Sequence, residues 1–190
     1  MALDHEITRL LAELRSGERD ALDGLFSLVY QELRARAGRE LRGTPPGQTL
    51  STTVLVHEVY LKFADAAPLA VGDRRHFFAR AARAMRQIVV DHARMALAQK
   101  RGGGARAVTL DVPDVSHALD PAELLALDRA LLELVELDER LARTVELRFF
   151  GGLSVEETAE VMDTSPRTVK RDWRKARAFL QHAISGGAVP

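Results

Sequence analysis

Apolar positions recur at three- and four-residue steps along nearly the whole chain, which is the spacing of one buried helix face. Leu22, Leu25, Phe26, Val29 and Leu33 predict a helix over about 20–42, broken by Thr44-Pro45-Pro46-Gly47. Ser51 is placed to cap a second helix carrying Leu55, Val56, Val59, Tyr60 and Phe63, which stops before Pro68. After a loop with Gly72, the residues Phe78, Ala81, Met85, Val89 and His92 predict a third helix to about residue 98. Residues 99–119 lose the period and contain Gly102-Gly103-Gly104 and Pro113, so they read as a linker. Asp120-Pro121 then restarts a helix in cap-then-proline order, followed by Leu124, Leu125, Leu127, Leu131, Leu134 and Val135. No strand alternation or internal repeat interrupts this pattern. It predicts an all-α protein of two small helical domains, 1–98 and 120–185, joined by a flexible linker over 99–119.

Composition narrows the class. Ala, Leu, Arg and Glu dominate 190 residues that are 46% apolar and 28% charged, a helix-forming globular mixture that excludes wholesale disorder. Cys is absent, which excludes disulfides and thiolate zinc and fits a reducing cytoplasm. Asp4, His5 and Glu6 stand where a secretory leader needs apolar residues, and no run approaches the roughly 18 apolar residues of a membrane span. The expectation is a soluble cytoplasmic protein with no membrane partner.

Net charge is +0, yet its distribution is uneven. Residues 74–106 carry Arg74, Arg75, Arg80, Arg83, Arg86, Arg94, Lys100, Arg101 and Arg106 against Asp91 alone. Residues 165–182 carry Arg167, Lys170, Arg171, Arg174, Lys175 and Arg177 against Asp172 alone. Between them, residues 131–163 hold nine carboxylates against three arginines. Two basic blocks parted by an acidic one suggest two sites facing a polyanion.

The second basic block has a recognisable frame. Ser154 with Glu157 forms a capping box that opens a short helix to about Met162. Asp163-Thr164 supplies the turn, because Asp tolerates a left-handed backbone. Ser165 caps a second helix whose first residue is Pro166. Short helix, tight turn and longer basic helix make the helix-turn-helix plan. At about 100° per residue, Arg167, Lys170, Arg171 and Arg174 cluster within roughly 60° of one direction. Val169, Trp173, Ala176 and Leu180 lie on the other side, ready to pack. Four cations and Thr168 then project outward, and Arg and Lys at the start of such a helix reach guanine acceptors and phosphates in a major groove.

At this point the chain resembles a known family. Glu146-Leu147-Arg148-Phe149-Phe150-Gly151-Gly152-Leu153-Ser154, with the helix after it and Ser165-Pro166-Arg167-Thr168-Val169-Lys170-Arg171-Asp172-Trp173, looks like region four of bacterial sigma factors. The short extracytoplasmic-function (ECF) type is the closest in kind. Thr52 through Leu61 resembles region 2.2, and Phe77 through Arg83 with Val90 through Arg94 resembles regions 2.3 and 2.4. The resemblance spans about residues 8–98 and 120–183. Val54 stands where many members carry an acidic residue, Asp163 stands at a turn position often held by Gly, and no regulatory domain is expected after Pro190.

The resemblance implies a promoter-specificity subunit that performs no covalent chemistry and needs no cofactor. Its partners would be the clamp and flap of bacterial RNA polymerase core, promoter DNA both double-stranded and melted, and, in this family, anti-sigma factors. His57, Glu58 and Lys62 would meet the clamp. Arg74, Arg75, Arg80, Arg83, Gln87 and Arg94 would lie along the minus-ten element, with Asp73 to His76 in a loop holding an extruded base. Arg167, Thr168, Lys170, Arg171, Arg174 and Lys175 would read the minus-thirty-five element. By charge alone, the stripe from Arg80 to Arg94 reads equally as a solvated helix face.

Other chemistries find no support. His57-Glu58 would need a second His at 61 for a metalloprotease helix, and Leu61 is there. The six His residues show no ligand spacing. Lys100-Arg101-Gly102-Gly103-Gly104 lacks the strand and ending of a phosphate loop. A stand-alone helix-turn-helix regulator, with 1–98 for dimerisation or sensing, is the alternative reading. An adaptor that binds polymerase but not promoter DNA is a third.

Overall fold

In the computed structural model the described residues are 2–18, 20–40, 52–66, 73–102 and 121–185. Within them lie α1 (Ala2–Arg15), α2 (Asp20–Glu40), α3 (Thr52–Asp65), α4 (Arg74–Gly102), α5 (Pro121–Leu137) and α6 (Glu139–Val145). A π-helical turn (Glu146–Phe150), α7 (Val155–Val161) and α8 (Pro166–Ile184) complete the order. The fold is all-α. No helix among the described residues is long and apolar enough to cross a membrane.

The first core is built from α1 to α4. Ile7, Leu11, Leu25, Leu33, Leu55, Met85 and Ile88 are among its fully buried members. Phe26 sits at its aromatic centre, edge-on to Tyr60, Phe63 and Phe77 at 5.1, 5.8 and 5.8 Å. Each such ring contact adds about 0.5–1.5 kcal/mol beyond area burial, so one residue of α2 ties α3 to α4. The second core is built from α5, α6, the π-turn and α8, around Leu131, Leu134, Val145, Phe150 and Ala176.

The structure departs from the pattern at several ends. Three or four helices were expected up to residue 98, and the fourth, for which no range was given, is α1, with Ile7, Leu10, Leu11 and Leu14 as its buried face. The expected loop to residue 76 ends earlier, so Arg74, Arg75 and His76 form the first turn of α4. The reason is a cap: the Asp73 carboxylate accepts the His76 backbone N–H at 2.9 Å. At its other end α4 runs to Gly102, four residues past 98 and into the stretch read as linker. After α5, Asp138 accepts the N–H groups of Arg140 and Leu141, which starts α6. Ser51, Asp120 and residues 103–119, where two caps and most of the linker were expected, lie outside the described residues.

The two cores touch. A third cluster joins Ala82 of α4 to Leu147 and Leu153, with Ala79, Val161 and Met162 at its margin. A Cβ on Gly151 would stand 2.7 Å from the Ala82 Cβ and 2.7 Å from the Leu147 carbonyl oxygen, so only glycine allows this approach.

Candidate nucleic-acid interface

The second half presents the helix-turn-helix. Ser154 accepts the Glu157 N–H at 3.1 Å while the Glu157 carboxylate accepts the Ser154 N–H at 2.7 Å. Asp163 adopts φ 50°, the left-handed turn its short polar side chain tolerates. Ser165 accepts the Thr168 N–H at 3.1 Å and starts α8. Val169, Ala176 and Leu180 of α8 are buried, whereas Arg167, Lys170, Arg171, Arg174 and Lys175 are exposed. The cationic face therefore points away from the second core. Thr168 differs from the expectation of an outward residue: it is half-buried, and its hydroxyl bonds Ser165 Oγ at 2.9 Å within the cap.

Two residues of this half escaped the sequence reading. Asp172, counted as the lone carboxylate of a basic block, is 1% exposed and lies between Arg140 of α6 and Arg171. Its position, three residues from Val169 and four from Ala176, was the available signal. Arg148 of the π-turn lies over the Trp173 ring at 5.1 Å, and its Nε and Nη1 find no hydrogen-bond partner among the described residues. Burial pulls its pKa below the usual arginine value, partly offset by Glu156. Trp173 is half-buried against the second core, in keeping with a packing role.

The α4 residues assigned to the minus-ten element are not one continuous face. Arg80, Arg83 and Gln87 are exposed. Arg74 pairs with Glu32 of α2 at 2.8 Å and lies over Phe78. Arg75 donates to the Glu160 carbonyl of α7 at 3.3 Å. Arg94 donates to Asp91 at 2.9 Å and reaches Asp128 of α5 at 3.4 Å. Arg86, a cation with no assigned role, is drawn into the seam: it donates to Asp128 at 2.8 and 3.0 Å and to Glu146 at 3.4 Å, and it lies 5.9 Å from the Phe150 ring. Its missed signal is a second face of α4, the residues Ala79, Ala82, Arg86, Val90 and Ala93, spaced as regularly as the first.

On α3, His57 is exposed and stacks near Tyr60, while Glu58 and Lys62 are half-buried. Glu58 meets His92 of α4 at 3.0 Å. Tyr60 donates to Asp23 at 2.6 Å, which holds the phenol protonated and raises its pKa. Val54, where an acid was noted as frequent, packs against the first core. Among the described residues no group of three or more His, Asp or Glu is placed to hold a metal ion.

An all-helical chain with a doubly capped helix-turn-helix and an outward cationic face is a DNA-binding transcription protein. The family model described as ECF sigma factor matches residues 4–186, so the chain belongs to the ECF sigma factors. No curated protein and no solved structure matches it. The family places the chain among transcription factors that work with RNA polymerase and promoter DNA.

Proposed function

We propose that this chain directs core RNA polymerase to a bipartite promoter. In this reading α8 enters the duplex major groove at the minus-thirty-five element through Arg167, Lys170, Arg171, Arg174 and Lys175. Residues 1–98 bind the clamp through His57, Glu58 and Lys62, and they open and read the minus-ten region through α4. Residues 120–185 also bind the flap, and 99–119 tether the two. Holding two weak modules on one enzyme raises their effective concentration on neighbouring DNA sites. The observation that carries the reading is the α8 face, five exposed cations opposite buried Val169, Ala176 and Leu180.

Arg94 shares Asp128 and Arg75 holds the Glu160 carbonyl, so a phosphate arriving at either cation would exchange with a partner from the second half. Run-off transcription with core polymerase on the chain's own upstream region tests the proposal. Arg171→Glu should abolish minus-thirty-five-dependent initiation while core binding persists. Strong footprints on two symmetric half-sites without core enzyme would overturn it in favour of a stand-alone regulator.

A further inference from the structure

We infer that Asp172 is a positioning residue that sets the rotation of α8, and with it which base Arg171 reads. The inference deepens the proposed minus-thirty-five reading and rests on it. Asp172 occupies the apolar register of α8, between buried Val169 and Ala176, and is itself 1% exposed. A carboxylate there is unfavourable unless cations meet it. Arg140 of α6 does so with Nη2 donating to Oδ1 at 3.3 Å and Nε standing 3.2 Å from Oδ2, the latter without hydrogen-bond geometry. From the other side the Arg171 Nε donates to Oδ1 at 3.4 Å.

Apolar contacts of Val169, Ala176 and Leu180 alone would tolerate a roll or slide of α8, because packing is not directional. A buried carboxylate does tolerate little. Stepping α8 by one residue turns its faces by about 100°, which would take Asp172 away from Arg140 and strand it. The pair therefore selects one rotation among otherwise similar packings, the use for which buried ion pairs are best attested. The same carboxylate holds Arg171 by Nε and leaves Nη1 and Nη2, the groups of its fork, for an outside acceptor such as guanine O6 and N7. Arg140 in turn belongs to the start of α6, whose N-cap Asp138 accepts its backbone N–H at 3.0 Å. The path from that cap to Arg171 is short and built of charged groups.

The test separates folding from reading. Asp172→Asn, and the pair Arg140→Met with Asp172→Leu, would be assayed with core polymerase on a library of minus-thirty-five variants, alongside thermal midpoints. The apolar pair should still fold, since removing Asp172 together with Arg140, whose side chain is 49% exposed, leaves no buried charge unpaired. Its preference at the base read by Arg171 should nevertheless fall roughly tenfold, a flattening and not a uniform loss. Arg140→Lys keeps the charge without the planar fork and should lose part of that preference.

Unchanged discrimination in the folded variants, or equal weakening on every sequence, would overturn the positioning role. If instead Arg171→Ala and Arg167→Ala leave the parent's own minus-thirty-five dependence intact, the DNA reading itself fails and the positioning role falls with it. A loss in these two variants beside unchanged discrimination in the Asp172 variants overturns the positioning role alone.

Discussion

Arg86 and Asp128 meet across the seam between the two cores at 2.8 and 3.0 Å, with only 15% and 10% of their side chains exposed. Glu146 and Arg94 join them, so two cations of α4 serve two carboxylates of the second half. The face that a charge census marks as simply basic is, along this part of α4, half neutralised from within the chain.

Removing Arg86 should therefore be costly. Among the described residues Arg86→Ala leaves Asp128 with only the longer Arg94 contact, and a loss of about 3 kcal/mol in urea denaturation is expected. Asp128→Ala should cost a similar amount. The double variant should cost clearly less than the two together, because both singles break one interaction. Strict additivity would show that the two groups are not coupled.

The approach of the cores at Gly151 gives a steric prediction. Gly151→Ala puts a methyl 2.7 Å from the Ala82 Cβ and 2.8 Å from Leu153 Cδ1. Thermal melts should show about 1–3 kcal/mol of destabilisation, the range for overpacking. Ala82→Gly in the same chain should restore part of this but not all, since the Leu147 carbonyl still stands in the way.

Helix caps frame the DNA-facing helix. Ser154→Ala loses the Glu157 N–H contact and Ser165→Ala loses the Thr168 N–H contact. Each should lower stability by about 1 kcal/mol. The two share no partner, so the double variant should show their sum in chemical denaturation. Ser165→Ala should also release the Thr168 hydroxyl, visible as exchange broadening at Thr168 in NMR spectra.

The start of α4 should respond to acid. Burial raises the Asp73 pKa, but hydrogen bonds from the His76 backbone and ring outweigh it and hold the carboxyl below its usual range. A depressed folded pKa means that the stabilisation is present above the unfolded value and is lost as pH falls through the folded one. NMR titration of the Asp73 carboxyl should place its midpoint below that of an unstructured aspartate. Amide exchange at Phe77, whose N–H bonds the Asp73 carbonyl at 3.0 Å, should accelerate below that midpoint, and Asp73→Asn should remove this pH response.

The helix-turn-helix was legible residue by residue because its signals are local. Ser154 with Glu157, Asp163, and Ser165 before Pro166 each act within three or four positions, and the backbone follows them with φ 50° at Asp163. The α2, α3 and α8 faces were legible for the same reason, since a periodic apolar stripe needs no knowledge of its partner. The resemblance to the ECF sigma factors rested on stretches of α3 and α4 and on the helix-turn-helix with the residues just before it, and the family match covers them.

What the sequence determined by itself was thus the all-helical class, the apolar faces and the capped, cation-bearing α8. Only the tertiary structure decided that Arg86 lies in a seam, that Arg75 and Arg94 bond to the second half, and that Asp172 is inside. Their partners Asp128, Glu160 and Arg140 lie 32 to 85 positions away along the chain. A charged side chain reads as solvated until its partner is brought within hydrogen-bonding distance, and that distance is set by how helices pack, not by the spacing along any one of them.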